Sequence, residues 1–159
     1  MENKIKISPF EDGLLVKFYG EVDSDKTQLY RFKIRDEMIK YGPRLLLFDF
    51  KDVTFLDSAG IGLILGRYNE IYKIRGIIGV INLSPYIKKI MNISGLFQII
   101  DEYKSLNDFK KNFRFYAFCN NLPYLIILKQ VFFRHFANQK QRYDRITTVS
   151  ANNFQMFIF

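Results

Sequence analysis

One segment of the sequence carries most of the structural information, VTFLDSAGIGLILGRY, residues 53–68. A mainly apolar stretch leads to Asp57 and Ser58, and further apolar residues follow them. Asp and Ser are favoured at helix starts because their side-chain oxygens accept hydrogen bonds from the free backbone N–H groups there. The segment therefore predicts a strand, a short loop and a helix that begins at about Ser58.

Two glycines, Gly60 and Gly62, fall at the beginning of this predicted helix. Each costs about 1 kcal/mol of helix propensity relative to alanine. Two such costs within the first turn and a half predict that another part of the protein packs closely against the helix backbone at this point.

Strand and helix patterns alternate on both sides of this segment. The turn signal Glu11-Asp12-Gly13 predicts a hairpin at the start of the chain. The predicted elements are, in order, a strand around residues 5–7, a strand over 14–19 ended by Gly20, a helix over 24–41, a strand over 45–50, a helix over 58–74, a strand over 77–81, a helix from Ser84 to about Asn92, and a helix beginning at Ser105. The apolar positions expected to share one stripe of the helix over 24–41 are mainly Leu29, Phe32, Ile34, Met38 and Ile39.

This alternation predicts an α/β fold, in which helices pack over a mixed central β-sheet of about four to five strands. The strands at 45–50 and 77–81 are joined through a helix, as parallel neighbours require. The hairpin adds an antiparallel pair, which makes the sheet mixed.

Composition changes sharply near residue 111. Residues 1–111 contain all nine glycines and carry a net charge of +3, whereas residues 112–159 contain no glycine, 12 of the 27 aromatic residues and a net charge of +5. We therefore interpret residues 4–111 as one domain and residues 112–159 as an atypical basic-aromatic tail.

Three interpretations of the tail remain open. It is a segment that lies on a membrane surface or docks a partner, a small extension of the domain, or an unselected translation product of a frameshift, without a fold. The nucleotide sequence after codon 111, read in three frames, would distinguish the last from the others.

The residue inventory argues against several classes of function. The chain has one cysteine, Cys119, and one histidine, His135, and both lie in the tail, which disfavours a disulfide framework, a cysteine-built zinc site and a nucleophilic triad. No phosphate-binding loop and no G-x-S-x-G motif is present. Asp49 and Asp52 are candidates for a carboxylate pair, but we interpret Asp49 as the end of a strand. The chain is expected to be neither an enzyme nor a cofactor or metal protein.

Ser58 has two interpretations on these grounds alone. In the first, Asp57 or Ser58 only caps the helix. In the second, Ser58 is an exposed hydroxyl that accepts a phosphate, which would add about −1.5 to −2 charges at pH 7. A helix N-terminus tolerates such a charge because its dipole and free N–H groups favour anions.

The segment FLDSAGIG (residues 55–62), followed by LGRY (65–68), closely resembles the bacterial anti-sigma factor antagonists of the STAS family, and in particular those of the sporulation type. Supporting motifs occur in the expected order at residues 20–23, 81–85 and 91–100, so the resemblance covers about residues 4–110. Many relatives carry a second serine where this chain has Ala59, which leaves one candidate hydroxyl in the motif.

The resemblance implies a regulatory cycle. The unmodified protein would bind an anti-sigma factor that is also an ATP-dependent serine kinase, releasing the sigma factor. The kinase would phosphorylate Ser58 and end the binding, and a serine phosphatase would restore the hydroxyl. The family pattern places the partner-binding residues at Glu21, Asp23, Asp57, Ser58, Ala59, Gly60, Ile61 and Gly62.

Further expectations concern the setting of the protein. We expect a cytoplasmic protein that is monomeric alone, with no membrane span, because no apolar stretch is long enough, and no direct contact with nucleic acid, because residues 1–111 carry little excess positive charge. Two alternatives remain: a STAS-type module that binds a small ligand or a partner without a phosphoswitch, and a membrane-associated module held by its tail.

Overall fold

The computed structural model describes the backbone of residues 4–121 and the side chains of residues 4–114. The chain divides into two units between Lys111 and Asn112, and the first is described here. Its elements are β1 (Lys4–Phe10), β2 (Gly13–Val22), α1 (Ser24–Tyr41), β3 (Leu45–Leu56), α2 (Ser58–Lys73), β4 (Ile77–Ile81), α3 (Pro85–Ile93), a 3₁₀ turn (Leu96–Gln98), β5 (Asp101–Tyr103) and α4 (Leu106–Asn121), the last of which continues beyond this unit. The interpretations of the tail beyond residue 121 lie outside the described residues.

The five strands form one sheet in the order β1-β2-β3-β4-β5. The β1–β2 pair is antiparallel, through a tight hairpin that pairs Phe10 with Gly13, and the other three pairs are parallel. The predicted α/β fold and its mixed sheet are therefore confirmed. Because each parallel connection steps in the same direction along the sheet, right-handed crossovers put α1, α2 and α3 over the same face.

An aromatic cluster fills the space between this face and α1. The Phe18 ring lies 5.9 Å from the ring of Tyr30 on α1, 5.6 Å from Phe48 and 5.4 Å from Phe50, measured between centroids. All four side chains are buried. Burial of an aromatic side chain of this size stabilises the folded state by about 2–3 kcal/mol, so the cluster is a main attachment of α1 to the sheet.

The opposite face of β4 is covered by α4. Gly79 alternates with the buried residues Ile78 and Val80, so it points away from α1 and α2. Phe109 of α4 and Tyr103 of β5 pack together there, with ring centroids 4.9 Å apart. β4 is thus covered on both faces, which explains why all of its residues are buried.

Helix starts follow the predicted capping. Ser84 Oγ accepts a hydrogen bond from Ile87 N at 3.3 Å, and Pro85 is the first residue of α3. Ser105 Oγ accepts from Asp108 N at 3.2 Å immediately before the first residue of α4.

Two strand ends differ from the prediction. Gly20 was expected to end β2, but the strand continues to Val22 because Gly20 adopts a φ of 72° next to a register shift, which a glycine permits without ending the strand. Asp49 was expected to end its strand, but β3 continues to Leu56. The short strand β5 was not predicted.

The predicted apolar stripe of α1 was wrong in most of its members. Leu29, Phe32 and Ile39 are 51%, 59% and 74% exposed. The buried residues of the helix are Thr27, Tyr30 and Ile34. Phe32 and Ile34 are two residues apart, which is about 200° around a helix, so α1 carries apolar residues on two sides and only one side faces the sheet.

We expect Gly79→Ala to lower the free energy of unfolding by about 1–3 kcal/mol, because overpacking a core is destabilising. An ideal Cβ at Gly79 would lie 2.6 Å from the ring of Tyr103 and 3.0 Å from that of Phe109. Gly66→Ala is the matched control, because a Cβ there meets nothing within 4 Å, and it should leave stability unchanged or raise it by up to about 1 kcal/mol. Urea unfolding followed by circular dichroism checks both, and equal effects of the two substitutions would contradict the packing assigned to Gly79.

Candidate functional site

Two helix starts lie side by side at one edge of the sheet. α1 follows β2 and α2 follows β3, and these parallel strands end in register, with Val22 opposite Leu56. Asp57 N donates to the carbonyl oxygen of Val22 at 3.4 Å, which ties the two strand ends together. The free N–H groups of both helices therefore face the same small region.

The carboxylate of Asp57 connects the two helix starts. Its Oδ1 accepts hydrogen bonds from Ala59 N at 2.8 Å and Gly60 N at 3.0 Å, which caps α2. Its Oδ2 accepts from Ser24 N at 3.0 Å, at the first residue of α1. One negative charge thus serves three backbone donors at the positive ends of two helix dipoles.

Ser58 is the first residue of α2, and the cap is Asp57. Its side chain is exposed, and its hydroxyl makes no hydrogen bond within the described part of the chain. Of the two roles proposed for the pair, the structure gives the cap to Asp57 and leaves the Ser58 hydroxyl accessible. The assignment of a phosphate to Ser58 stays a prediction.

Close packing against Gly60 and Gly62, the two early glycines of α2, is confirmed. An ideal Cβ at Gly60 would lie 2.7 Å from the carbonyl oxygen of Val22 and would also contact Leu56, so α2 approaches the end of β2 at that point. An ideal Cβ at Gly62 would lie 3.2 Å from Nη2 of Arg31 on α1. The absence of a side chain at residue 62 therefore leaves room for an arginine of the neighbouring helix.

The other predicted partner-binding residues border the same region. Asp23 caps α1, with its Oδ1 accepting from Lys26 N at 3.1 Å. Glu21 is exposed near the end of β2, in register with Phe55 of β3. The structure places the end of β2 next to the start of α2. The assignment of these residues to partner binding stays a prediction.

Two features were missed in the sequence. An Asp-Ser pair occurs at both helix starts, at residues 23–24 and 57–58, and both serines are exposed. This repeat is visible in the sequence and could have indicated that the two starts are alike. The position of Arg31 had no sequence signal, because its contact with residue 62 is made between helices.

Arg67, in the LGRY motif, is a buried cation. Its side chain is 9% exposed, and its Nη2 donates to Oε1 of Glu70 at 2.8 Å. Its Nε and Nη1 are buried without a partner among the described residues. Burial lowers the pKa of Arg67, the charge of Glu70 opposes this, and the charges of Arg35 and Arg31 lower it further. Three arginines therefore place positive charge between α1 and α2.

The candidate carboxylate pair does not act as a unit. Asp49 is nearly buried inside β3, where its Oδ1 accepts from Asn82 Nδ2 at 2.8 Å and from Lys51 N at 3.0 Å. Asp52 instead forms a salt bridge with Lys17 at 2.6 Å. The partners of Asp49 are a backbone N–H and a side-chain amide, which is the hydrogen bonding expected of a buried structural carboxylate.

Two kinds of site are absent from the described residues. Those residues contain no group of three or more His, Cys, Asp or Glu side chains placed to hold a metal ion. None of the helices that they form is both long enough and apolar enough to cross a membrane.

Residues 5–109 match the family model of the STAS domain. The chain belongs to the STAS-domain family. The match includes the paired helix starts, the Asp57-Ser58 pair and the sheet beneath them. The predicted membership and fold are thereby confirmed.

Two curated STAS relatives are similar over most of their length. The anti-sigma F factor antagonist of Paenibacillus polymyxa is 28% identical over 103 residues, which cover 65% of this chain and 88% of that protein. The anti-sigma-B factor antagonist of Bacillus subtilis (strain 168) is 29% identical over 101 residues, which cover 64% of this chain and 91% of that protein.

Solved STAS structures agree in fold. The anti-sigma factor antagonist SpoIIAA in its unphosphorylated form superposes with a TM-score of 0.62 at 23% identity, covering 70% of this chain and 96% of that one. The Bacillus cell fate determinant SpoIIAA in its phosphorylated form gives a TM-score of 0.56 at 23% identity, and the match covers 68% of this chain and 98% of that one.

We expect Asp57→Ala to destabilise the protein by about 2 kcal/mol, because three backbone N–H groups lose their acceptor. Ser84→Ala is the matched control, since it removes a cap with a single hydrogen bond and should cost about 1 kcal/mol. Chemical unfolding of both variants gives the comparison. A cost for Asp57→Ala no greater than that for Ser84→Ala would show that Asp57 does not connect the two helices in solution.

Proposed function

We propose that this STAS protein is an anti-sigma factor antagonist whose unmodified form binds an anti-sigma factor that is also a serine kinase, so that the sigma factor is released. The observation that carries the proposal is the exposed hydroxyl of Ser58 at the Asp57-capped start of α2. The names of the two curated relatives support the same role.

The chemical step of the proposed switch belongs to the partner. The kinase transfers the γ-phosphoryl group of ATP to Ser58 Oγ, which loses its proton, and ADP is the other product. A phosphatase hydrolyses the phosphoserine to serine and inorganic phosphate. This chain contributes the accepting hydroxyl and its position and no catalytic group.

Electrostatics explain how one phosphoryl group would end binding. It adds about −1.5 to −2 charges at pH 7 to a surface that already carries Asp23 and Asp57. The helix N-terminus accommodates this charge, so the fold is unchanged in both states. A partner surface that fits a neutral hydroxyl would have to desolvate a dianion while offering no cation of its own to match it, which costs several kcal/mol.

The surroundings of Ser58 suit a switch by charge. Asp57 holds the local backbone through three hydrogen bonds, and Gly60 packs against the carbonyl of Val22. The surface presented to a partner is therefore fixed by backbone contacts that a phosphate does not remove. Ala59, in place of the second serine of many relatives, leaves Ser58 as the hydroxyl of the motif.

Incubation with the cognate anti-sigma kinase and ATP should add one phosphoryl group, about 80 Da, to Ser58. The gain should disappear in Ser58→Ala and persist in Ser24→Ala, a matched control that removes the other exposed serine of an Asp-Ser helix start. Intact-mass and peptide mass spectrometry give the result. Phosphate on Ser24, or on neither serine, would contradict the proposed switch.

Binding to the same kinase should be retained by Ser58→Ala and weakened at least tenfold by Ser58→Asp, which corresponds to about 1.4 kcal/mol. Ser58→Asn is the control of similar size without charge, and it should bind more tightly than Ser58→Asp. Isothermal titration calorimetry measures the affinity of the kinase for all three variants. Equal affinities of Ser58→Asp and Ser58→Asn would contradict a switch that works through charge.

A further inference from the structure

Arg31 of α1 lies against the first turns of α2. Its Nη2 comes within 3.2 Å of the place that a side chain at Gly62 would occupy. Residues 58 and 62 are four apart on one helix, so their Cβ positions are neighbours, about 5–6 Å from each other. The guanidinium group of Arg31 is therefore one helical turn from the Ser58 side chain.

The direction of the helices brings this arginine toward Ser58. The Ser24–Asp57 hydrogen bond shows that α1 and α2 begin side by side. Side chains on a helix lean toward its N-terminus, so Arg31 leans toward the end at which Ser58 lies. Arg35 is one turn farther along α1, so its backbone lies about 6 Å farther from that end than the backbone of Arg31.

The charges between the helices are unbalanced in favour of an anion. Neither Arg31 nor Arg35 forms a salt bridge within the part of the chain that is described, and Arg67 has a single carboxylate partner there, Glu70. The buried nitrogens of Arg67 cannot be reached from solvent, but its charge adds to the field between α1 and α2.

Three carboxylates border the same two helix starts. Asp57 caps α2, Asp23 caps α1, and Glu21 lies near the end of β2. Like charges disfavour the second ionisation of a phosphate, whose ordinary pKa is about 6. Without a cation nearby, a phosphoryl group on Ser58 would therefore carry less than its full charge near neutral pH.

We infer that Arg31 is the internal counter-ion of a phosphoryl group on Ser58. This inference rests on the proposed modification of Ser58 and adds a residue that sets its charge and position. A salt bridge between the Arg31 guanidinium and the phosphate oxygens keeps the group a dianion at neutral pH and holds it next to α1. Arg31 is a positioning residue and makes no covalent bond.

The test uses the full chain with phosphoserine inserted at residue 58 during translation at a reassigned stop codon. No kinase is needed, so the result does not depend on whether the cognate kinase acts on Ser58. The pKa of the phosphoserine is read from its ³¹P chemical shift as pH is varied, at an ionic strength near 0.15 M, where the Debye length is about 8 Å.

Removing the charge of Arg31 in Arg31→Gln should raise the phosphoserine pKa by at least about half a pH unit, because an opposite charge in contact favours the ionised form. Arg31→Lys, which keeps the charge, should restore part of the difference. Arg35→Gln and Lys26→Gln, which each remove one positive charge elsewhere on α1, should shift the pKa much less.

An unchanged pKa in Arg31→Gln would overturn the inference. Equal pKa shifts in Arg31→Gln and Arg35→Gln would also overturn it, because they would show that the phosphoserine responds to net charge and not to a contact with Arg31. Arg31 is exposed, so Arg31→Gln is expected to fold. The amide NMR spectrum of the same variant with an ordinary serine at residue 58 verifies this.

Discussion

The carboxylate of Asp57 is the interaction on which the candidate site depends. A helix start leaves several N–H groups without partners, and this fold places two such starts next to each other at the ends of β2 and β3. A single side chain satisfies donors from both, and its negative charge faces two positive helix ends. Without it, α1 and α2 would meet with uncompensated donors and like partial charges.

In this arrangement one residue stabilises the helix start and a different residue presents the hydroxyl group. Because Asp57 provides the cap, the hydroxyl of Ser58 is not required to complete the helix start. The strands beneath are anchored by buried apolar and aromatic side chains such as Phe18, Phe48 and Phe50, so the strand ends are held independently of what happens on the surface. A change in charge at residue 58 therefore acts on a scaffold that does not have to rearrange.

Local signals in the sequence were sufficient to predict much of the fold. The hairpin turn and the starts of α2, α3 and α4 follow from residues that act on their immediate neighbours, and these were predicted. The buried side of α1 was not, because Phe32 and Ile34 lie on opposite sides of the helix and both are apolar. Hydrophobic pattern alone does not say which of two such sides faces the sheet.

The site shows the same division between local and tertiary information. Asp57 and Ser58 were recognised from their place before a helix, and the early glycines indicated close packing. The identity of what packs against Gly62 could not be predicted, because Arg31 comes from another helix and is brought there by the pairing of β2 with β3. The end of β2 was also missed, since a glycine with a left-handed backbone occurs at bulges inside a strand as well as at strand ends.

The two outer strands of the sheet also limit how this protein meets others. β1 carries exposed lysines at residues 4 and 6 and a proline at residue 9, which has no N–H to donate, and β5 is only three residues long. Lysines, proline and shortness are the devices by which natural sheets avoid growing from one molecule into the next. Addition of a foreign strand is thus disfavoured at either margin, so contacts that this domain makes with other molecules depend on side chains and not on backbone ladders.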